Sequence, residues 1–419
     1  MSQKFAGPKG MNDLLPGEIE VWQHIERSAR ALLGTYGYSE IRTPMVEDTA
    51  LFVRSVGEQT DMVGKEMYTF EDKGGRSLSL RPEGTAPAAR AYIEHAILNQ
   101  EPLTRWFYLG PMFRYERMKT GRYRQFWQLG VEAYGAKEPA QDVELMEMVV
   151  HLLNKLGLTG VSLNINSLGD DACRPTYLTA LVTHFTARKA ELCPDCQIRL
   201  EKNPLRILDC KNERCQAIAQ QAPSVLDSLC EPCRAHFAEV RRLLELLGVP
   251  YQVNSRIVRG LDYYTRTAFE LIASDPILGT AGAVGGGGRY DKLVRAIGGP
   301  EVPAVGFALG LDRLALLVGQ GAPVARAQPD LFLVGVDPSA LDEVLKLATL
   351  LRHQGRWVEL DTRGGSVKSQ MKRADKSGAR YALVLGETEL ASQRAELKPL
   401  AGGPAIPVAL AELGAALTR

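Results

Sequence analysis

Between Met112 and Gly135 the chain reads MFRYERMKTGRYRQFWQLGVEAYG, which sets Arg114, Arg117, Lys119, Arg122 and Arg124 between two apolar and aromatic runs, with Gln128 and Glu132 just beyond. Arginine stays charged and presents a planar fork of donors suited to phosphate or carboxylate oxygens. Arginines gathered at the end of a hairpin can converge on one polyanion, which arginines scattered over a helix surface cannot. Arg114 falls within a strand, where a buried guanidinium is costly unless something neutralises it, and Arg122 falls in the connection. Solvated loop arginines are the alternative reading of this stretch taken alone.

Three further segments carry chemistry. RPEGT presents Glu83 and Thr85 after a strand, with Gly84 allowing close backbone approach. A carboxylate there could bind a substrate ammonium group, or it could be an acid placed at a helix N-terminus. VRGLDYYTRTAFE sets Arg259 before a glycine and two adjacent tyrosines, Tyr263 and Tyr264. If they lie in a strand, one lines a pocket while the other packs. GGGGRYDKL removes four side chains, Gly285 to Gly288, from a strand-like run, either for close approach of a flat ligand or as a flexible loop. It is neither a Walker A loop nor a dinucleotide fingerprint.

Cysteine is the other chemistry-bearing type. Seven cysteines is an odd number, so free thiols or metal ligation are expected rather than a disulfide framework. Cys193 with Cys196, and Cys230 with Cys233, form two Cys-x2-Cys pairs separated by 33 residues, with Cys210 and Cys215 between them. Two such pairs have the ligand spacing of one tetrahedral structural Zn2+ site; reduced thiols in a helical insertion are the other reading.

The elements that must position these residues follow from periodicity. Helical spacing of apolar residues runs from Glu18 to about Tyr36, from about Ala86 to Leu98 and from about Pro139 to Leu156. EMYTFEDKGGRSLSL and the basic stretch read as hairpins. Strands outnumber helices and are joined by hairpins, so the main sheet should be mostly antiparallel with helices packed on it. Residues 170–248 read as a helical, cysteine-dotted insertion within a catalytic domain spanning 1–320, residues 321–329 as a linker, and 330–419 as a small parallel α/β domain. That last domain carries six basic residues and one acid, Asp375, between Arg363 and Arg380, which is either a solvated helix face or an RNA-facing patch.

A formal net charge of +1 excludes a globally basic nucleic-acid binder while leaving local patches free to act. No apolar run approaches the roughly 20 residues of a membrane span, and no secretory h-region opens the chain, so no membrane association and a cytoplasmic location are expected.

TPMVED with Pro44, GPMFRYER followed by GRYRQFWQLGVE, and GFALGLDRLAL with Arg313 resemble the three signature segments of class II aminoacyl-tRNA synthetases. RPEGT, VRGLDYYTRTAFE and GGGGRYD resemble the segments that mark the histidyl-tRNA synthetase family within that class, and the likeness extends over essentially the whole chain. The resemblance implies an α+β catalytic domain of class II type with a mostly antiparallel sheet, a helical insertion and a C-terminal α/β anticodon-binding domain. It also implies a ligase that activates L-histidine with ATP and Mg2+ and transfers it to the 3′ end of histidine tRNA. By the same resemblance Arg114 grips the α-phosphate, Arg122 and Arg313 the γ-phosphate, and Glu116 joins the ATP-binding set, while Arg259 lies beside the reacting phosphorus. Glu83, Thr85, Gln128 and Glu132 surround the histidine, Tyr263 and Tyr264 close its pocket, and Gly285, Gly286 and Gly287 with Gly288 form the floor. Arg117 or Lys119 in the hairpin loop is expected to meet RNA phosphates, and Pro44 lies in the segment by which the class forms homodimers. Trp127 departs from the family, many of whose members have histidine there. The rival expectation is a catalytically dead paralogue that uses the fold as a regulatory binding module; such paralogues usually lack the C-terminal domain and degrade the RGLDYYTRT segment.

Overall fold

Alternation along two ten-residue strands organises the larger part of the molecule. In Gln125–Tyr134, Leu129, Val131 and Ala133 face an apolar core while Gln128, Gly130 and Glu132 take the opposite face. Its hairpin partner Thr104–Phe113 follows the same rule, with Phe107 in the main core and Tyr108 and Met112 on the other side. The computed structural model describes residues 5–58, 60–258, 263–279, 282–321, 327–363 and 365–417, which fall into two compact units, Met1–Val324 and Ala325–Arg419.

The strands of the first unit are β1 (Ser39–Glu40), β2 (Val46–Asp48), β3 (Tyr68–Glu71), β4 (Ser77–Leu80), β5 (Thr104–Phe113), β6 (Gln125–Tyr134), β7 (Val161–Ser167), β8 (Gln252–Val253), β9 (Thr265–Ala273), β10 (Ala283–Arg289) and β11 (Ala304–Gly310). Eight of them form one sheet in the order β1-β5-β6-β11-β10-β9-β7-β8, antiparallel except at its two outer pairings. β2, β4 and β3 form a small antiparallel sheet. The antiparallel expectation is met.

Helices Ile19–Thr35, Pro139–Lys155 and Leu311–Val318 cover the apolar face of the large sheet. Trp22, Ile25, Ala29, Leu32 and Leu33 fall on one side of the first of these, as the helical spacing requires. Trp127, the departure noted above, packs edge-on against Trp22 at 6.3 Å and belongs to this layer. The helix predicted from Ala86 to Leu98 runs only over Thr85–Glu94, because Ala96 adopts a left-handed conformation and a 3₁₀ turn follows.

One buried ion network fastens this layer to the sheet. Arg289, fully buried at the end of β10, donates from Nε to Asp142 at 3.2 Å, and from Nη1 to the Ala136 carbonyl at 2.9 Å and to Asp291 at 3.1 Å. His236 Nε2 lies 3.4 Å from the same aspartate. Burial opposes ionisation of Asp142, but Arg289 and His236 outweigh it and hold its pKa down at about 2.

Residues 174–246 hold four α-helices, Arg174–Thr186, Pro194–Lys202, Glu213–Gln220 and Glu231–Leu246, around a small core that includes Tyr177, Leu181, Phe185 and Ile218. The last of these is shared: Cys233 belongs to that small core, whereas Phe237, Val240 and Leu244 are buried in the main one.

In the second unit, β12 (Leu331–Gly335), β13 (Val358–Leu360), β14 (Tyr381–Leu385), β15 (Arg394–Pro399) and β16 (Ile406–Ala409) form a sheet in the order β13-β12-β14-β15-β16. β12 runs parallel to β13 and β14, as expected, but β15 and β16 add an antiparallel edge, so the sheet is mixed. RAELKP alternates exposed and buried positions around Ala395 and Leu397, a period of two too short and polar to stand out as a strand. Helix Val367–Ser377 begins at Ser366, whose hydroxyl accepts from Ser369 N, and ends at Gly378 in the left-handed region.

Candidate active site

The polar face of the large sheet holds a cleft of about 370 Å³ lined from β5, β6, β10 and β11, from the hairpin loop and from the start of helix Leu311–Val318. Arg114, Arg122 and Arg313, from three separate stretches, all line it. Arg114 is fixed by donating from Nε to the Pro82 carbonyl at 2.7 Å and by lying 5.1 Å over the Phe126 ring. Glu116 bridges the two hairpin arginines, 3.9 Å from Arg114 and 3.1 Å from Arg122. Across the cleft Arg313 donates to the Gly121 carbonyl at 3.2 Å and to the Ala283 carbonyl. Burial and then the charge of Arg122 lower the Arg313 pKa, so these two cations crowd each other in a way that a bound polyanion would relieve. Arg117 and Lys119 are exposed on the hairpin loop.

Beside the arginines lies a pocket of different character. Glu83 lines it and accepts from Thr85 N at 2.7 Å and Ala86 N at 2.8 Å, so the carboxylate sits at the N-terminus of helix Thr85–Glu94 and also faces the cleft. Burial raises its pKa against those two backbone bonds and the charge of Arg114. Gln128 also faces the cleft, and its buried Oε1 accepts no hydrogen bond among the described residues. An orphaned buried acceptor beside a carboxylate suits a cationic donor such as an ammonium group. Thr85 completes this wall, but its hydroxyl is turned away, donating to Glu132 at 2.8 Å.

Glu132 lies beneath the floor rather than on it. It is 1% exposed and accepts hydrogen bonds from Thr85, from Tyr108 at 3.0 Å and from Tyr290. Burial pushes its pKa up to about 8, against those hydroxyl donors and with help from the charge of Glu83. Its donors Tyr108 and Thr85 do line the cleft. Tyr108 occupies the space over two glycines: a Cβ on Gly84 or Gly130 would collide with its ring.

The paired tyrosines depart from the alternation predicted for them. Tyr263 and Tyr264 both line the cleft, with ring centroids 4.8 Å apart, because they precede β9 in a turn where the two-residue period does not apply. The glycine run behaves in the opposite way. Gly285 and Gly286 line the cleft, but Gly287 pairs with Phe307 on the core side and is no part of the floor. A Cβ on Gly287 would meet the Gly306 carbonyl and, at 2.6 Å, Phe307 Cβ, so close strand packing is what requires glycine there. Gly288 has a φ of +152° and packs under Tyr264.

Arg259 lies outside the described residues. The cysteine expectation is corrected. Cys193 and Cys196 gather with Cys210 and Cys215, whereas Cys230 and Cys233 gather with Asp170 and Cys173, so the two Cys-x2-Cys pairs do not share one site. The pairs start two different helices, Pro194–Lys202 and Glu231–Leu246, whose N-termini meet different neighbours. The sequence reading missed Tyr108, Tyr290, Glu270 and Asp312. Tyr108 had a signal, the register that sets Gly130 opposite it. Asp312, which lines the cleft, is pushed up to about 6 by burial while accepting from Trp127 N at 2.8 Å.

A family model described as Histidyl-tRNA synthetase matches residues 10–172 and 178–314, and one described as Anticodon binding domain matches residues 330–419. The histidine-tRNA ligase of Anaeromyxobacter dehalogenans is 51% identical over 415 residues, covering 98% of this chain and 99% of its own. That of Geobacter metallireducens is 51% identical over 399 residues, covering 95% of this chain and 96% of its own. Among solved structures, apo S. aureus histidyl-tRNA synthetase matches with a TM-score of 0.84 at 39% identity, covering 99% of this chain and 100% of the other.

Proposed function

Because the chain belongs to the histidyl-tRNA synthetase family, we propose that it is a histidine-tRNA ligase, joining L-histidine to its tRNA by way of histidyl-adenylate. The observation that carries this reading is the sharing of one cleft by Arg114, Arg122 and Arg313 with Glu83 and the Gln128 acceptor, which has no hydrogen-bond partner among the described residues. The arginines suit a triphosphate, and the carboxylate and amide suit the ammonium group of an amino acid. Tyr263 and Tyr264 line the same cleft, and by resemblance they close the histidine pocket.

With both substrates seated, the histidine carboxylate attacks the α-phosphorus of ATP and pyrophosphate leaves. No protein nucleophile is needed; the residues hold the reacting atoms together and meet the charge that develops on the phosphoryl oxygens. By resemblance, Arg114 meets the α-phosphate and Arg122 with Arg313 the far end of the triphosphate. Arg259 joins the α-phosphate contacts on resemblance alone. Mg2+ entering with the triphosphate would suit a cleft that the Glu116 and Glu270 carboxylates line, and there it would neutralise phosphate charge. A ribose hydroxyl of the terminal tRNA adenosine then attacks the histidyl carbonyl and AMP leaves.

The partner module at 330–419 favours this reading over the regulatory paralogue, since it matches an anticodon-binding family. Its helix Val367–Ser377 exposes Lys368, Lys372 and Lys376 at four-residue spacing, a basic stripe for an RNA backbone. We further propose a homodimer built on the segment after Pro44, where Met45 and Val46, and Phe70 of the same small sheet, are exposed. The deciding experiment is ATP-pyrophosphate exchange with each amino acid in turn, followed by charging of histidine tRNA. Exchange dependent on histidine is expected; exchange absent with histidine, or driven equally by another amino acid, would overturn the assignment.

A further inference from the structure

All seven cysteines of the chain fall into two clusters, four in one and three in the other, and none is disulfide-bonded. We propose that the insertion binds two structural Zn2+ ions, one held by Cys193, Cys196, Cys210 and Cys215 and the other by Cys173, Cys230, Cys233 and Asp170.

Each set brings four candidate ligand atoms within 4.8 Å of one another. A tetrahedron with metal-sulfur bonds of about 2.3 Å has sulfur-sulfur edges of about 3.8 Å. Cys193 and Cys210 sulfurs stand 3.8 Å apart, a separation at which no S–S bond exists. With a carboxylate oxygen as fourth ligand the sulfur-oxygen edge shortens to about 3.6 Å. Asp170 Oδ1 lies 3.6 Å from the Cys230 sulfur and 3.7 Å from that of Cys173. The other oxygen of the same carboxylate faces Arg266 Nη2 at 3.5 Å, so one oxygen is left to the sulfurs while the second is oriented from β9.

Local structure prepares the same chemistry twice. Cys193 and Cys230 each stand at the N-cap of a helix whose first turn carries a proline and the second cysteine of the pair. That puts both sulfurs of a pair at one helix end, where the first backbone N–H groups have no partner within the helix. Backbone N–H groups already point at sulfur in both clusters: Cys193 N to Cys215 Sγ at 3.2 Å, Asn212 N to Cys210 Sγ at 3.5 Å, and Asp170 N to Cys173 Sγ at 3.3 Å. Five of the seven cysteines are buried in the insertion's core, where uncharged thiols make poor hydrogen-bond partners for one another. An all-sulfur tetrahedron and a three-sulfur, one-oxygen tetrahedron both suit Zn2+.

The test uses the full chain without a histidine tag, purified without chelator and analysed by plasma mass spectrometry. Two zinc per chain are expected, and a ratio of one or below overturns the proposal. Cys196→Ser and Cys233→Ser should each retain one zinc and their combination none; two zinc retained in either single variant overturns it. The unmodified chain supplies a check independent of variant folding. Its thiols should react with Ellman's reagent at least ten-fold faster once a strong zinc chelator is added, with release of two zinc. Reaction at the same rate with and without chelator overturns the proposal.

Discussion

Glu132 is a carboxyl that the fold keeps from ionising. Its pKa of about 8 lies above the ordinary value near 4.3, so between those limits the unfolded chain has lost a proton that the folded chain retains. Stability therefore falls as pH rises from about 5 to 8, by an amount on the order of a few kcal/mol. Glu132→Gln, a neutral isostere, should flatten that slope, with a thermal midpoint at pH 8 no lower than that of the parent; an unchanged slope would count against the assignment. Arg259 makes the other prediction at this scale. If it meets the α-phosphate, Arg259→Ala should slow histidine-dependent pyrophosphate exchange by about 10²- to 10³-fold, and near-normal exchange would remove it from the mechanism. Arginine and acid types were legible in the sequence because their chemistry is carried by the residue itself. Tyr108 and Tyr290 were not, because an aromatic in a strand reads the same whether it packs on core or hydrogen-bonds a buried carboxyl.

Between elements, the Arg289, Asp142 and His236 network is the clearest dependence. Removing the aspartate charge leaves Arg289 buried and uncompensated, so Asp142→Asn should cost roughly 3–5 kcal/mol and lower the urea midpoint. The Asp142 pKa near 2 lies below its unfolded value, so its contribution is present above about pH 4 and lost as pH falls toward 2. The variant's stability should accordingly change less over that acid range than the parent's. Periodicity recovered helices Ile19–Thr35 and Pro139–Lys155 and the β5/β6 hairpin, because each has one apolar face repeated over at least ten residues. It failed at Tyr263 and Tyr264, where the chain has not yet entered the sheet, and at Gly287, which packs against the neighbouring strand at Gly306 and Phe307. Spacing alone also paired the cysteines wrongly, since which helix ends meet is a property of tertiary packing.

At the scale of the molecule, the charge of +1 hides a stripe of Lys368, Lys372 and Lys376. Replacing all three with glutamine should raise the KM for tRNA and reduce the salt slope of tRNA binding by about two to three, while histidine-dependent exchange stays at the parental rate. An unchanged salt slope would show that another surface carries the RNA. The homodimer is checked by light scattering after size exclusion, with a mass near twice that of the chain expected and a single-chain mass ending the idea. Division into a large antiparallel unit and a small α/β unit was legible because the strand pattern changes across a Gly/Pro/Ala stretch; the added β15/β16 edge was not, because its strands are short and half polar.

Helix Glu231–Leu246 begins among the cysteines and ends in the core under the sheet. At about 1.5 Å per residue it is a rod of some 24 Å with each end embedded in a different cluster. Excising the insertion at the boundaries its composition suggests would tear Phe237, Val240 and Leu244 out of the catalytic layer. A trimmed enzyme must keep the second half of that rod, with the cut made on the cysteine side of His236.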